Sequence, residues 1–396
     1  MAPALARHNN PFLSAAMAAV RRQRPQLTAR YPYVLRSEMF PGGRMAQLWF
    51  ITGGCSWDAC TMCDYGQGPR VSVETMVGAV DQGLAALPLD ALTYLEVSPS
   101  GSMLDAREVP VAARQQIFAR LRDIPVPNLL FETRAETVDD DIVADTAAQL
   151  AGKKIAVMLG LESANPWVQR YCVNKGSDPE RFAAAAAILG AHGIEVIANV
   201  SLGTAFLTPV EAIDDAVTTV RWALAHGADH AVLYPLQVKE HTLLAKLFDL
   251  GLYRSPSLWA LIDAFERLGP ELFACTTTAW YRNYFGESFR HHATTCPRCE
   301  SRVLRMLDAY HAAQTLEAFA PLRDYHCTCR ERWRTSLVHD VADLPTRVAT
   351  SYERLAGLLG LTALWERQGA ALRAQLGRDF VPIVGASCGD GVVSAS

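Results

Sequence analysis

Between residues 45 and 245 short apolar runs alternate with longer stretches in which apolar positions recur every three or four residues. The first kind fits strands buried on both faces, and the second fits amphipathic helices that cover them. The pattern predicts strands at 47–52, 93–97, 128–132, 154–160, 195–201 and 231–236, and helices at 73–86, 112–123, 140–150, 179–192 and 209–226. Strands and helices in turn imply βα units and a parallel sheet. An alanine run at 183–187 lies inside one helix and reads as ordinary helix. Beyond residue 250 the strand signal stops and helical periodicity dominates, with aromatics at Trp259, Phe265, Trp280, Tyr281, Tyr284 and Phe285. Helices are expected there at 301–318 and 345–376, and the small, polar stretch 385–396 is expected to be a disordered tail.

Composition narrows the picture. The chain has 396 residues, half of them hydrophobic, enough for one large core with an appendage. Its N-terminal 25 residues lack the apolar run of a signal peptide, and no window reaches the length of a membrane span, so a soluble cytoplasmic protein is expected, with no membrane partner. The net charge is −4, which argues against a nucleic-acid backbone as partner, since such proteins carry a basic face. Arginine-rich spots at 21–24 and 330–334 read as solvated helix faces rather than RNA contacts. The ten cysteines are too few for a disulfide scaffold, and seven of them fall in two groups with ligand spacing, which points to metal in a reducing compartment.

The first group is Cys55, Cys60 and Cys63, a C-x4-C-x2-C triplet directly after the first expected strand. Three thiolates leave one position of an iron–sulfur cluster open, whereas structural zinc and ordinary ferredoxin clusters take four protein ligands. The alternative is half of a zinc site completed from elsewhere. The second group is Cys296, Cys299, Cys327 and Cys329, two short pairs separated by a helical segment. Either a second [4Fe–4S] cluster or a structural zinc suits that spacing, and the cluster is the favoured expectation. Cys172 and Cys275 read as small buried apolar residues, and Cys388 lies in the tail.

The segments GCSWDACTMCDYG, SPSGSMLD, FETRAE, GLESAN, NKG and GLYRSPSLW, with the C-terminal cysteines, resemble in order those of a group of radical S-adenosylmethionine (SAM) enzymes. That group contains the archaeosine-forming lyase of tRNA modification and, more distantly, the catalytic subunit of Elongator. The usual triplet of the superfamily has three residues, not four, between its first two cysteines, and here Met62 holds the place of a frequent aromatic. The resemblance spans about residues 30–335 and implies an α/β fold, a partial (β/α)6 barrel at 45–250. A helical or irregular extension at 1–44 would precede it, and a helical, cysteine-bearing region at 251–384 would follow.

It also implies a [4Fe–4S] cluster on Cys55, Cys60 and Cys63, with SAM on the open iron. Working residues of such barrels sit where strands end. Ser100, Gly101 and Ser102 would meet the SAM amino group, Glu132 would hold the ammonium, Arg134 the carboxylate and Glu162 the ribose hydroxyls; an internal Glu132–Arg134 ion pair is the rival for the middle two. Asn199, Ser201, Tyr234 and Gln237 could line the adenine and substrate side. The implied chemistry is reductive cleavage of SAM to a 5′-deoxyadenosyl radical that takes hydrogen from an unactivated carbon, fed by an external donor such as flavodoxin or ferredoxin. The favoured reaction is sulfur insertion from the second cluster into a nucleoside-like small molecule, with the thiosugar-forming enzyme of albomycin-type antibiotics as precedent. The alternatives are archaeosine-type C–N cleavage, on a modified nucleoside or tRNA, and a non-catalytic metal-stabilised RNA-binding protein.

Overall fold

The computed structural model describes residues 10–24, 33–66, 68, 71–283, 289–337 and 341–383. The expected tail at 385–396, with Cys388, and the aromatics Tyr284 and Phe285 lie outside them. Ten strands are present among the described residues: β1 (Tyr33–Phe40), β2 (Gly43–Phe50), β3 (Tyr94–Pro99), β4 (Asn128–Thr133), β5 (Lys154–Glu162), β6 (Glu195–Leu202), β7 (His230–Pro235), β8 (Val238–Lys239), β9 (Thr276–Thr278) and β10 (Phe289–His291). Eight form one sheet in the order β1-β2-β3-β4-β5-β6-β7-β9, and β8 pairs with β10 in a separate ribbon. From β2 onward every pairing in the large sheet is parallel; β1 pairs antiparallel with β2 through a tight hairpin. The result is the expected α/β partial barrel with a helical C-terminal region, its six central strands flanked by β1 and β9.

The helices are α1 (Pro11–Arg22), α2 (Val73–Ala85), α3 (Val111–Asp123), α4 (Asp140–Gln149), the short α5 (Pro166–Val168), α6 (Pro179–Ala191), α7 (Pro209–Ala225), α8 (Leu243–Asp249), α9 (Leu258–Leu268), α10 (Glu300–Ala313), α11 (Leu316–Arg323), α12 (Thr328–Thr335), α13 (Leu344–Leu358) and α14 (Thr362–Arg378). Their starts follow local chemistry. Ser72, Asp139, Asp178 and Thr208 each accept an N–H of the first turn, and Thr208 with Glu211 closes a reciprocal box.

Three differences from the expected pattern have physical causes. Strand pairing continues beyond residue 250 at β9 and β10, but three threonines and a Phe-Arg-His run are too short and too polar to stand out. The stretch expected as one helix at 301–318 breaks at Gln314, which is left-handed (φ +51°), and the stretch at 345–376 breaks at Gly360 (φ +70°). The edge strand β1 precedes residue 45 yet belongs to the barrel sheet, and its half-exposed pattern hides it from an apolar-run reading.

One core fills the space between sheet and helices, with Leu48, Val97, Phe131, Leu159, Val200 and Leu233 on the sheet's outer face. A second packs α1, α8, α13 and α14 around Tyr171 and Tyr352. Inside the bore the buried apolar cluster is small, Leu130, Ala156, Ile197 and Val232. Apolar and polar side chains share the other inward positions, Met45, Tyr94 and Met158 beside Gln47, Glu96, Glu132 and Asn199, and a cavity of about 420 Å³ remains.

Candidate active site

Cys55, Cys60 and Cys63 all face this cavity, on the loop after β2. Several contacts hold the loop. Cys55 N–H donates to the Tyr65 carbonyl (2.9 Å) and Thr61 N–H to the Val173 carbonyl (2.9 Å). Arg24, its side chain almost fully buried, donates to Asp58 (3.1 Å), to the Cys63 carbonyl (3.1 Å) and to the His241 carbonyl (2.7 Å). Arg21 adds a bond to the Asp58 carbonyl (2.8 Å). Within the basic spot at 21–24, Arg21 and Arg24 therefore clamp the cysteine loop, while Arg22 is exposed. Gly176 (φ +73°) lets the Trp57 ring pack where a Cβ would stand 2.3 Å from it.

Across the loop, Glu108 accepts the N–H of Ser56 (2.7 Å) and of Ser102 (2.6 Å), joining the cysteine loop to the turn after β3. Gly101 lies between, and an added Cβ would fall 2.0 Å from the Glu108 carboxylate and 3.2 Å from Cys55 Cα. Of Ser100, Gly101 and Ser102, Gly101 forms part of the cavity wall; the Ser102 hydroxyl is buried without a partner. Arg134 donates to Cys55 Sγ (3.3 Å), Ser56 Oγ (3.0 Å) and Asp105 (2.8 Å), and lies 3.3 Å from Glu108. Its partners are thus Asp105 and Glu108 rather than Glu132, while its Nε has no hydrogen-bond partner. Burial alone would raise the Asp105 carboxyl, but Arg107 and Ser56 hold it well below the usual range.

Glu162 ends β5 at a bulge against β6, in the left-handed region (φ +67°). That conformation is costly for a non-glycine residue and is held here by its partners. Lys175 donates to Oε1 (2.9 Å), and the hydroxyls of Ser201 and Tyr234 both donate to Oε2. Burial would push the Glu162 carboxyl up, but Lys175 and the two hydroxyls bring it below its ordinary value. Gly160 leaves room for Lys175, whose Nζ would sit 2.4 Å from a Cβ there. Glu132 and Asn199 face the same cavity and hydrogen-bond each other. Burial, then the charges of Glu96 and Glu162, push the Glu132 carboxyl up to about 8. Gln237 also faces the cavity, its Nε2 donating to the Trp280 carbonyl (2.5 Å).

The structure thus gathers Gly101, Glu132, Arg134, Glu162, Asn199 and Gln237 with the cysteines around one space, and sets Ser201 behind Glu162. Sequence reasoning missed Glu96, Asp105, Glu108 and Lys175. A glutamate inside the apolar run of β3 was the available signal for Glu96; the others reach the site from turns.

The C-terminal cysteines form a separate site. Their sulfurs all lie within 4.8 Å of one another, with Cys296–Cys299 3.4 Å, Cys296–Cys327 3.8 Å, Cys299–Cys329 3.5 Å and Cys327–Cys329 3.4 Å. Four thiolates bound about 2.3 Å from one tetrahedral ion stand about 3.8 Å apart. Among the described residues this is the one group of three or more such side chains compact enough for a single ion, which makes it a candidate second metal site. Trp259 Nε1 donates to Cys329 Sγ (3.2 Å). Arg330, expected on a solvated face, is buried and donates to the carbonyls of Leu322, Arg323 and Tyr325. Cys299 caps the start of α10 and Gln314 its end, about 22 Å apart at ~1.5 Å per residue. Gln314 and His311 belong to the cavity wall; none of the four cysteines does.

The partial barrel thus sets three cysteines, on the loop after its first parallel strand, against a cavity that also holds buried carboxylates. No family model matches the chain. It is similar to archaeosine synthase subunit beta of Methanosarcina acetivorans, 27% identical over 300 residues, which cover 73% of this chain and 83% of that protein. The corresponding subunit of Thermococcus kodakarensis is 26% identical over 294 residues, 72% of this chain and 88% of that one. Among solved structures, methylornithine synthase superposes with a TM-score of 0.45 at 13% identity, over 67% of this chain and 69% of that one. No helix among the described residues is long and apolar enough to cross a membrane.

Proposed function

We propose that this chain is a radical SAM enzyme that cleaves a bond in a nucleoside-like substrate, by C–N lysis of the archaeosine type, and does not insert sulfur. The observation that carries the reading is the meeting of Cys55, Cys60 and Cys63 with Glu132, Arg134 and Glu162 on one buried cavity. The donor set suits a cluster: three thiols face the cavity, and they are not drawn together as the C-terminal four are. When bound, the [4Fe–4S] cluster and SAM supply reductive C–S cleavage and hydrogen-atom abstraction.

The residues present have distinct tasks in this reading. Arg24, Glu108 and Arg134 hold the cysteine loop and keep water from it. Glu132 and the Arg134 guanidinium, whose Nε has no hydrogen bond and lies 3.8 Å from Glu136, suit the ammonium and carboxylate of an amino acid. Glu162, with three donors already placed, has one acceptor direction left for a ribose hydroxyl. The net charge of −4 favours a free nucleoside or nucleotide over tRNA, and flavodoxin or ferredoxin is the electron donor we expect.

The sulfur spacing at the C-terminal site supports one zinc ion, because ligands of a cube-shaped cluster cap different irons and point apart. Its place outside the cavity wall also argues against sulfur donation, which requires contact with substrate. The reading is tested on anaerobically reconstituted protein given SAM and a reductant. It should form 5′-deoxyadenosine and contain about four irons and one zinc per chain. Replacing Cys55, Cys60 and Cys63 by alanine should abolish the product. About eight irons, with labelled cluster sulfide appearing in product, would restore sulfur insertion.

A further inference from the structure

Away from the cysteines, carboxylates and aromatic rings interrupt a largely aliphatic cavity wall. Glu96, 1% exposed, faces the bore from the middle of β3. Gln47 Nε2 donates to its Oε2 (2.6 Å) and Trp49 Nε1 to its Oε1 (3.0 Å). The Gln47 amide is oriented in turn, since its Oε1 accepts from Arg36 (3.1 Å). Ser98 adds a further bond. A carboxylate has about four acceptor directions, so this one is fixed in place with capacity left toward the cavity.

Lys154 and His230 stand at the starts of β5 and β7, and the other cations of the wall are engaged elsewhere. Arg134 pairs with Asp105 (2.8 Å), Lys175 with Glu162 (2.9 Å), His311 with Glu38 (3.2 Å), and Lys239 with Asp64 (3.6 Å). Among the described residues no ion pair reaches Glu96 or Glu132. Buried carboxylates without a counter-charge must take up a proton or find a cation. Burial pushes the Glu96 carboxyl up in spite of its Gln47 and Trp49 partners.

Two independent observations point to a ligand at the same wall. Gln314, 8% exposed, contributes to it, and its Nε2 is buried without a partner. The rings of Trp49 and Trp280 line the space with centroids 5.3 Å apart and planes tilted by 48°, offering flat apolar contact. We propose that this part of the cavity recognises a cationic nitrogen group of the substrate, an ammonium or amidinium, through Glu96, with a planar neighbour against Trp49 and Trp280 and an acceptor facing Gln314. The proposal rests on the reading of this cavity as the substrate site.

The test uses reconstituted full-length protein and two planar probes of one shape, benzamidine and its neutral counterpart benzamide, titrated by calorimetry with SAM present and absent. Benzamidine should bind about tenfold more tightly, the scale of a charge-assisted pair, with or without SAM. Glu96→Gln should bring the two probes to similar affinity, and Gln314→Ala should weaken benzamide. Equal affinity of the two probes for the wild type overturns the proposal without recourse to any variant. So does a preference that survives Glu96→Gln, or displacement of benzamidine by SAM. Because none of these readings needs SAM cleavage, loss of 5′-deoxyadenosine formation with the cation preference intact would reject the radical reading alone.

Discussion

Lys175 and Glu162 form an ion pair 2.9 Å long, both side chains less than a tenth exposed, directly under the cysteine loop. Lys175→Met keeps most of the length of the side chain and removes its charge. Breaking a buried pair from one side costs about 3–5 kcal/mol, and the low end, about 3 kcal/mol, applies because Ser201 and Tyr234 still donate to Oε2. The pH dependence carries a sign. In the wild type Glu162 titrates below 4.5 and Lys175 above 10.5, so the pair contributes its full stability between those values and loses it outside them. Without Lys175, burial dominates and Glu162 titrates above 4.5. The folded variant then binds the extra proton, and its deficit grows as pH rises from 4.5 and shrinks toward acid. Urea unfolding at pH 5 and pH 7.5 reads both effects. Adding Glu162→Gln to the variant should recover part of the loss at pH 7.5. A loss under about 1 kcal/mol, the scale of an exposed pair, or one that does not change with pH, would refute the reasoning.

Arg24→Ala removes the clamp between α1, Asp58 and the Cys63 carbonyl; it should cost about 2–3 kcal/mol by thermal or urea unfolding and lower the iron retained after reconstitution, measured by iron analysis. Asp215 is buried with Oδ2 unpartnered, and burial raises it to about 7 against a single bond from Ser163 (2.7 Å). Its raised value means that stability falls as pH climbs from about 4 to 7, so Asp215→Asn should stabilise the protein by about 1–2 kcal/mol at pH 7.5 and by little at pH 4, read by melting curves at the two pH values.

The sequence by itself determined the six central strands, whose apolar runs need burial on both faces, and the helices between them, whose periodicity and capping residues mark their limits. It also determined both cysteine groups, because ligand spacing within a turn or loop is local. The motifs at the strand ends singled out Glu132, Arg134 and Glu162, which the fold brings to one cavity. What each of these binds was decided by tertiary structure. Arg134 meets Asp105 and Glu108, and Glu162 meets Lys175 and Ser201, across turns that come together only when the barrel curves. The edge strands β1 and β9 were hidden because pairing, not composition, makes them strands. Arg22, Arg332 and Arg334 are solvated as the charge runs suggested, but Arg24 and Arg330 in the same runs are buried, because a charged run carries no sign of the carboxylate or carbonyls waiting for one of its members. The distance between the candidate second metal site and the cavity was likewise invisible in the chain, since the direction of α10 is fixed only by its packing against the barrel.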